Sequence, residues 1–234
     1  FPSVEAACEA VIGTIQMGIP VARIELLDAL SVRALNSYSK LDLPESPLLL
    51  LEFHGSPASV QEHAQTFDAI SQDCDAQSFE WTTNAEERTR IWQARHDAYW
   101  AQRALRPGTD GVATDICVPI SNLATAVTRA QKKADELDLL SPILGHVGDG
   151  NFHCTLLIDR NDDGELQRAK AFTDWLSELA VELEGTITGE HGIGQGKIAK
   201  LEAQAGGSIE MMRAIKRALD PQNIMNPGKI ITID

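Results

Sequence analysis

The sequence predicts an α+β domain built on a mainly antiparallel sheet with helices packed on it. Three observations carry that reading. Segments of helical periodicity alternate along the chain with short segments of strand character. Asp149-Gly150 lies between two apolar runs, the pattern of a tight antiparallel hairpin. No strand segment is followed by a G-x-G-x-x-G turn, so the alternative, a doubly wound parallel sheet, lacks the phosphate site of its dinucleotide-binding form.

Taken in order, Ser3 to Met17 reads as a helix. Ser3 is its N-cap, Val4, Ala7, Cys8, Val11, Ile12 and Ile15 form one stripe, and Gly18 ends it. Val21 to Leu27 is strand-like, and Asp28 caps a second helix to about Tyr38. Pro47 to Phe53 is a buried strand by its apolar run, Ser59 to Asp73 a helix, and Ser78 to Thr83 a short alternating strand. Asn84 caps a long helix to about Leu105, which Pro107-Gly108 stops. Val112 to Val118 is a strand closed by Pro119, and Ser121 caps a helix to about Leu137. Pro142 to Val147 and Asn151 to Asp159 form the hairpin. Glu165 to Leu183 is helical, residues 185–196 are glycine-rich, and Gly207 to Leu219 is the last helix before the tail Asn226-Pro227-Gly228-Lys229.

The composition narrows the function. Apolar residues make up 43% and charged residues 23%, the balance of a globular protein with a sizeable core. No apolar run reaches the length of a membrane-spanning helix. The formal net charge of −14 repels phosphate backbones, so no nucleic-acid partner is expected. Cys8, Cys74, Cys117 and Cys154 form no C-x-x-C pair and no dense framework, and read as free thiols of a reducing compartment. Cys117 is expected in the core, His54 at a strand end and His63 exposed on a helix. The start, Phe1-Pro2-Ser3-Val4, carries neither signal-peptide pattern nor initiator Met, which suggests an excised or processed piece.

The strongest chemical signal is His146-Val147-Gly148-Asp149-Gly150-Asn151-Phe152-His153. With Asp149 and Gly150 as a two-residue loop, His146 pairs with His153. Their Cβ atoms then lie about 5 Å apart on one face, close enough for two ring nitrogens to meet on one divalent ion. Thr155 shares that face, while Phe152 and Cys154 point into the core. Gly189-Glu190-His191-Gly192-Ile193-Gly194 offers a carboxylate to complete a set of two imidazoles and one carboxylate. Adjacent residues of an extended segment point to opposite sides, so Glu190 is expected to face the ion and His191 a substrate beside it. Arg95 falls on one helix face with Trp92 and Tyr99, where a guanidinium suits a planar carboxylate. These residues alone leave a metal-assisted hydrolase and a non-catalytic metal- or partner-binding module open.

The same residues carry a family resemblance. The segments 145–154, 188–194 and 220–229 resemble the C-terminal part of FAD-linked oxidases of the vanillyl-alcohol oxidase type. Thr114-Asp115-Ile116-Cys117-Val118-Pro119-Ile120-Ser121 and Ala94-Arg95-His96 are most similar to the D-lactate dehydrogenase (cytochrome) branch. The resemblance runs over essentially the whole chain. It implies a ferredoxin-like substrate, or cap, domain over 1–205 and a C-terminal helix and tail over 206–234 that contact a separate N-terminal FAD-binding domain. It implies that His146, His153 and Glu190 ligate one divalent metal (zinc, manganese or iron) and that His191 is the base near the flavin. It further implies that Arg95 holds the substrate carboxylate and that Asn226 lies near FAD. Relatives acting on 2-hydroxyglutarate carry a Lys two residues before the position of Asp115. Ala113 stands there, which favours a short monocarboxylate such as D-lactate. The implied partners are a 2-hydroxy acid and an electron acceptor such as a cytochrome or quinone. The implied location is the cytoplasm, or the mitochondrial matrix in a eukaryote.

Overall fold

The computed structural model describes residues 1–233. It contains helices α1 (Val4–Gln16), α2 (Ala29–Ser39), α3 (Pro57–Asp73), α4 (Ala85–Ala104), α5 (Leu123–Glu136), α6 (Asp163–Glu182), α7 (Ile198–Ala205) and α8 (Ser208–Leu219). The strands are β1 (Val21–Leu27), β2 (Leu48–Phe53), β3 (Asp110–Ala113), β4 (Ile116–Cys117), β5 (Ile143–Gly145) and β6 (Asn151–Ile158). They form one sheet in the order β2-β1-β5-β6-β3, with β4 also on β6, and every pairing is antiparallel. The α+β expectation holds, and the parallel alternative does not.

Local chemistry starts the helices where the sequence places the caps. The side chains of Ser3, Asp28 and Asn84 accept backbone N–H bonds at the starts of α1, α2 and α4. Each strand then presents two faces, because side chains alternate. Ile24 and Leu26 of β1 and Phe152, Cys154, Leu156 and Ile158 of β6 join one core with α1, α5 and α6. The opposite face carries Leu27 and Leu144, covered by α2 and α4 through Val32, Leu35, Ala94 and Ala98. Fully burying side chains of this kind contributes about 1.5–3 kcal/mol each, so both layers are needed to hold the sheet. Phe152 is wholly buried, and its truncation to alanine would cost about 3–5 kcal/mol.

The structure departs from the sequence expectations in several places. Ser78 to Thr83 is not a strand: Phe79 packs, half-buried, against the ring of Phe67, 5.4 Å away, and not in a sheet. The strand expected over Val112 to Val118 splits into β3 and β4, because Thr114 and Asp115 turn aside to bond other segments. The helix expected from Ser121 starts at Leu123, after a 3-10 turn over Ile120–Asn122. Helix α7 was not expected, since eight residues beside a glycine-rich run carry little periodic signal. All four cysteines are free, as expected, but Cys117 is half-buried beside the hairpin, its thiol donating to the Asp149 carbonyl. His63 is half-buried near Phe53 and not exposed. His54 does sit at the end of β2.

Candidate active site

The site lies on the α2/α4 face of the sheet, at the loop end of the β5–β6 hairpin. The hairpin loop is longer than the expected two residues. A 3-10 turn over Val147–Asp149 leads into Gly150, whose φ of 77° is left-handed. A Cβ at Gly150 would run into the Val118 carbonyl, so only glycine fits. The register moves by two: His153 pairs with Leu144, and His146 stands opposite Asn151, whose N–H donates to the His146 carbonyl at 3.3 Å. A shift of two preserves the face. The two imidazoles therefore still meet, diagonally and edge-on, with ring centroids 6.1 Å apart.

The loop over Thr188–Gly192 brings in the third group. Asp115, buried in the gap between β3 and β4, accepts from the N–H groups of Gly189 (2.9 Å), Glu190 (3.2 Å) and His191 (2.9 Å). It also accepts from the Thr188 hydroxyl at 2.6 Å and the Asn151 side-chain amide at 2.8 Å. Successive amides wrapped around one carboxylate make a compact anion cradle. Burial pushes the Asp115 carboxyl up, but these donors, the Thr188 hydroxyl foremost, outweigh it and hold it well below the usual carboxylate range. Lys197 ties the base of the loop, donating to the carbonyls of Asp115 (3.0 Å) and Ile187 (2.5 Å). A Cβ at Gly189 would overlap the Asn151 amide, so the close approach needs glycine.

Because the loop curls around Asp115, Glu190 and His191 do not point to opposite sides. One Glu190 carboxylate oxygen lies 2.9 Å from His153 Nε2, 3.5 Å from His146 Nε2 and 3.7 Å from His191 Nε2. The His191 ring stacks on that of His153 at 4.8 Å and stays half exposed. The extended-segment expectation fails for a physical reason: three amides aimed at one carboxylate require a bend.

The donor set suits a cation. His153 Nδ1 lies 2.8 Å from the Thr114 carbonyl, which can only accept, so Nδ1 carries the proton and the lone pair of Nε2 in the neutral ring faces the space shared with Glu190, where a cation can sit. Burial lowers the His153 pKa and favours that neutral form. His146 Nδ1 lies 2.7 Å from Glu25, which likewise aims Nε2 at Glu190. The hydrogen bond to Glu25 raises the His146 pKa. Ligand atoms of His146, His153 and Glu190 all lie within 4.8 Å of one another. Two atoms each about 2.1 Å from a tetrahedral ion stand roughly 3.4 Å apart, which this cluster approximates. A second grouping, Asp115 with His153 and His191, has its carboxylate already committed to the amides.

Arg95 reaches the cluster through Glu25. Its Nε and Nη2 both donate to one Glu25 oxygen, at 3.2 and 2.8 Å, while the other oxygen faces His146. The expected aromatic setting differs: Trp92 carries the guanidinium of Arg23, 3.5 Å from its ring centroid, and Tyr99 faces Arg103. Asn226 lies in the exposed tail after α8, its carbonyl accepting from Lys229, and the tail is tied to the glycine-rich loop by the Ile230 N–H, which donates to the Gly194 carbonyl.

Sequence reasoning missed Glu25, Asn151 and Asp115 as site residues. Glu25 did carry a signal, a carboxylate between Ile24 and the apolar pair Leu26-Leu27 of the strand VARIELL. Asp115 carried a weaker one, since a carboxylate between strand residues also suits a turn.

The profile of the family described as FAD linked oxidases, C-terminal domain, matches residues 1–230. The chain belongs to that family. Among curated proteins, this FAD-linked oxidase domain is 44% identical over 234 residues to a probable mitochondrial D-lactate dehydrogenase of Danio rerio, covering all of this chain and 47% of that protein. It is 38% identical to the mitochondrial D-lactate dehydrogenase [cytochrome] of Arabidopsis thaliana, covering 99% of this chain and 41% of that one. It is 35% identical to the glycolate oxidase subunit GlcD of Bacillus subtilis, covering all of this chain and 50% of that subunit. The chain thus spans half or less of the length of these relatives. Among solved structures, 4-ethylphenol oxidase from Gulosibacter chungangensis superposes with a TM-score of 0.67 at 14% identity, covering 96% of this chain and 50% of that one. p-Cresol methylhydroxylase superposes at 0.63 and 14%, covering 97% and 51%. At such identity the two share its fold.

Proposed function

We propose that this domain is the substrate-binding part of a flavin-dependent D-2-hydroxy acid dehydrogenase that oxidises D-lactate, or a similarly short 2-hydroxy acid, to the 2-oxo acid. The observation that carries the reading is the convergence of His146, His153 and Glu190 beside an open His191, with Arg95 one carboxylate away. Relatives named D-lactate dehydrogenase and glycolate oxidase subunit support the substrate class.

When bound, FAD supplies the acceptor for the C2 hydride, and a divalent ion at the three ligands supplies Lewis acidity at the 2-hydroxyl oxygen. The remaining work falls to this chain. Arg95 binds the substrate carboxylate. Glu25 occupies its Nε edge, which leaves the Nη1 end for that contact. His191 accepts the hydroxyl proton as the C2 hydrogen departs with its electron pair, and the carbonyl of the product forms. Asn226 contacts the flavin from the tail. Residues 1–205 form the cap and 206–234 dock on a flavin-binding domain. Electrons leave to a cytochrome or quinone, in the mitochondrial matrix or the cytoplasm. Among the described residues no helix is long and apolar enough to cross a membrane.

The test joins the chain to a flavin-binding domain and mixes the anaerobic protein with D-lactate. Flavin absorbance should bleach with D-lactate and persist with L-lactate, while the 234-residue chain alone stays colourless and inactive. Bleaching by L-lactate only, or stoichiometric flavin in the isolated chain, would overturn the assignment.

A further inference from the structure

Glu25 is the buried carboxylate on which two separate parts of the site meet. It lies in β1, on the α2/α4 face, with its side chain 7% exposed. One oxygen accepts both donors of Arg95 from α4, 70 residues away, and the other faces His146 Nδ1, 121 residues away. Neither contact is local, and a buried glutamate costs desolvation unless both oxygens are engaged. Here they are.

We infer that Glu25 is a positioning residue that fixes the His146 tautomer and the Arg95 guanidinium in one move. An Nδ1–H donated to Glu25 leaves Nε2 as the lone-pair nitrogen, and Nε2 is the atom aimed at Glu190. Free histidine favours the opposite assignment, with the proton on the other nitrogen, so the carboxylate selects the form that can ligate. The same carboxylate holds Arg95 by its Nε edge and so decides which end of the fork faces the pocket. For His153 the Thr114 carbonyl fills this role at 2.8 Å, with the Asp115 carboxylate beyond bonding distance at 3.8 Å. The two histidines are thus oriented by unlike groups, and the Glu25 link is the one that also reaches Arg95. The inference rests on the proposed ligand set, and the experiment separates the two.

Divalent zinc and manganese are titrated into the chain by calorimetry, and 15N chemical shifts of His146 are recorded in the metal-free protein. Wild type should bind one ion, and its His146 should show Nδ1–H with Nε2 as the non-protonated nitrogen in the neutral form. Glu25→Gln keeps the volume but cannot accept from both partners as a carboxylate does. It should weaken binding about 10–100-fold and shift His146 towards a tautomer mixture. Glu25→Asp, which keeps the charge on a shorter stem, should recover part of the affinity. Leu26→Val, a destabilising change on the other face of β1, should leave affinity and tautomer unchanged, so loss of stability alone is controlled. A wild type that binds no ion overturns the ligand set. The His146 tautomer then decides on Glu25: a population that moves in Glu25→Gln supports the positioning role, and one that stays overturns it. Glu25→Gln binding the ion within about twofold of wild type with an unchanged His146 tautomer overturns the role of Glu25 while leaving the ligand set standing.

Discussion

His153 Nε2 stands 2.9 Å from a carboxylate oxygen of Glu190 while its Nδ1–H is spent on the Thr114 carbonyl. Two acceptor atoms at that distance repel unless a positive charge lies between them. The contact joins a strand residue to a distant loop residue, so it reports the tertiary fold of the site and not a local turn.

His153→Ala should therefore abolish stoichiometric binding of a divalent ion, and Glu190→Gln should weaken it severely. Elemental analysis after dialysis against a chosen ion checks this, with circular dichroism confirming that the variants fold. Equal metal in wild type and His153→Ala would sink the ligand assignment.

Arg95 and His191 should separate kinetically in the flavin-loaded enzyme. Arg95→Ala should mainly raise KM for D-lactate, and Arg95→Lys should rescue only partly, because the planar fork that holds a carboxylate bidentately is lost. His191→Ala should lower kcat by roughly 10²–10⁴-fold with little change in KM. Initial rates across substrate concentration distinguish these patterns, and a KM-only effect of His191→Ala would remove it as the base.

Asp115→Asn keeps the shape of the cradle but replaces an acceptor-only group by an amide that presents hydrogens to amides. Hydrogen bonds to a charged group are worth about 1.5–3 kcal/mol each, so a loss of several kcal/mol is expected. Amide hydrogens of Gly189 and His191 should exchange much faster. The pH dependence has a definite sign. The folded carboxyl titrates below its ordinary value of 3.8, so its contribution is full above that value and is lost as pH falls through and below it. Acid melts of wild type and Asp115→Asn should converge in that range.

Asp28 has the opposite sign. Burial raises its carboxyl from 3.8 to about 6, against the Ser31 hydrogen bonds that pull it down. Its folded form binds a proton more tightly than the unfolded chain, so stability is full below about pH 4 and falls as pH rises through about 6. The change is about 2–3 kcal/mol. Asparagine caps a helix as well as aspartate does. Asp28→Asn should melt higher than wild type at about pH 8 and alike at about pH 4; parallel melting curves at the two pH values would refute this.

Much of the fold is legible in the sequence because its signals are local. Ser3, Asp28 and Asn84 mark helix starts through a cap each side chain makes within three residues. The site is legible where parity decides. His146 and His153 share a face whether the hairpin loop has two residues or four, so a register error of two did no harm. What was hidden depends on distant partners. Glu25 looks like a misfit in β1 until α4 and the hairpin close over it. Asp115 looks like a strand residue until the loop 73–76 positions later folds around it. Helical spacing alone sets Trp92 beside Arg95, yet Arg23 of β1 occupies the face of its ring.

Asp115 holds the 188–191 segment mostly by amide hydrogens, and every residue except proline owns one. The support is therefore blind to the side chains it displays. Positions 190 and 191 act as sockets on a fixed mount: different ligands or bases can be installed there without rebuilding the scaffold, provided Gly189 stays small and no proline enters. Such a mount lets chemistry drift while architecture stands still, which makes these two positions the natural place to re-engineer the reaction.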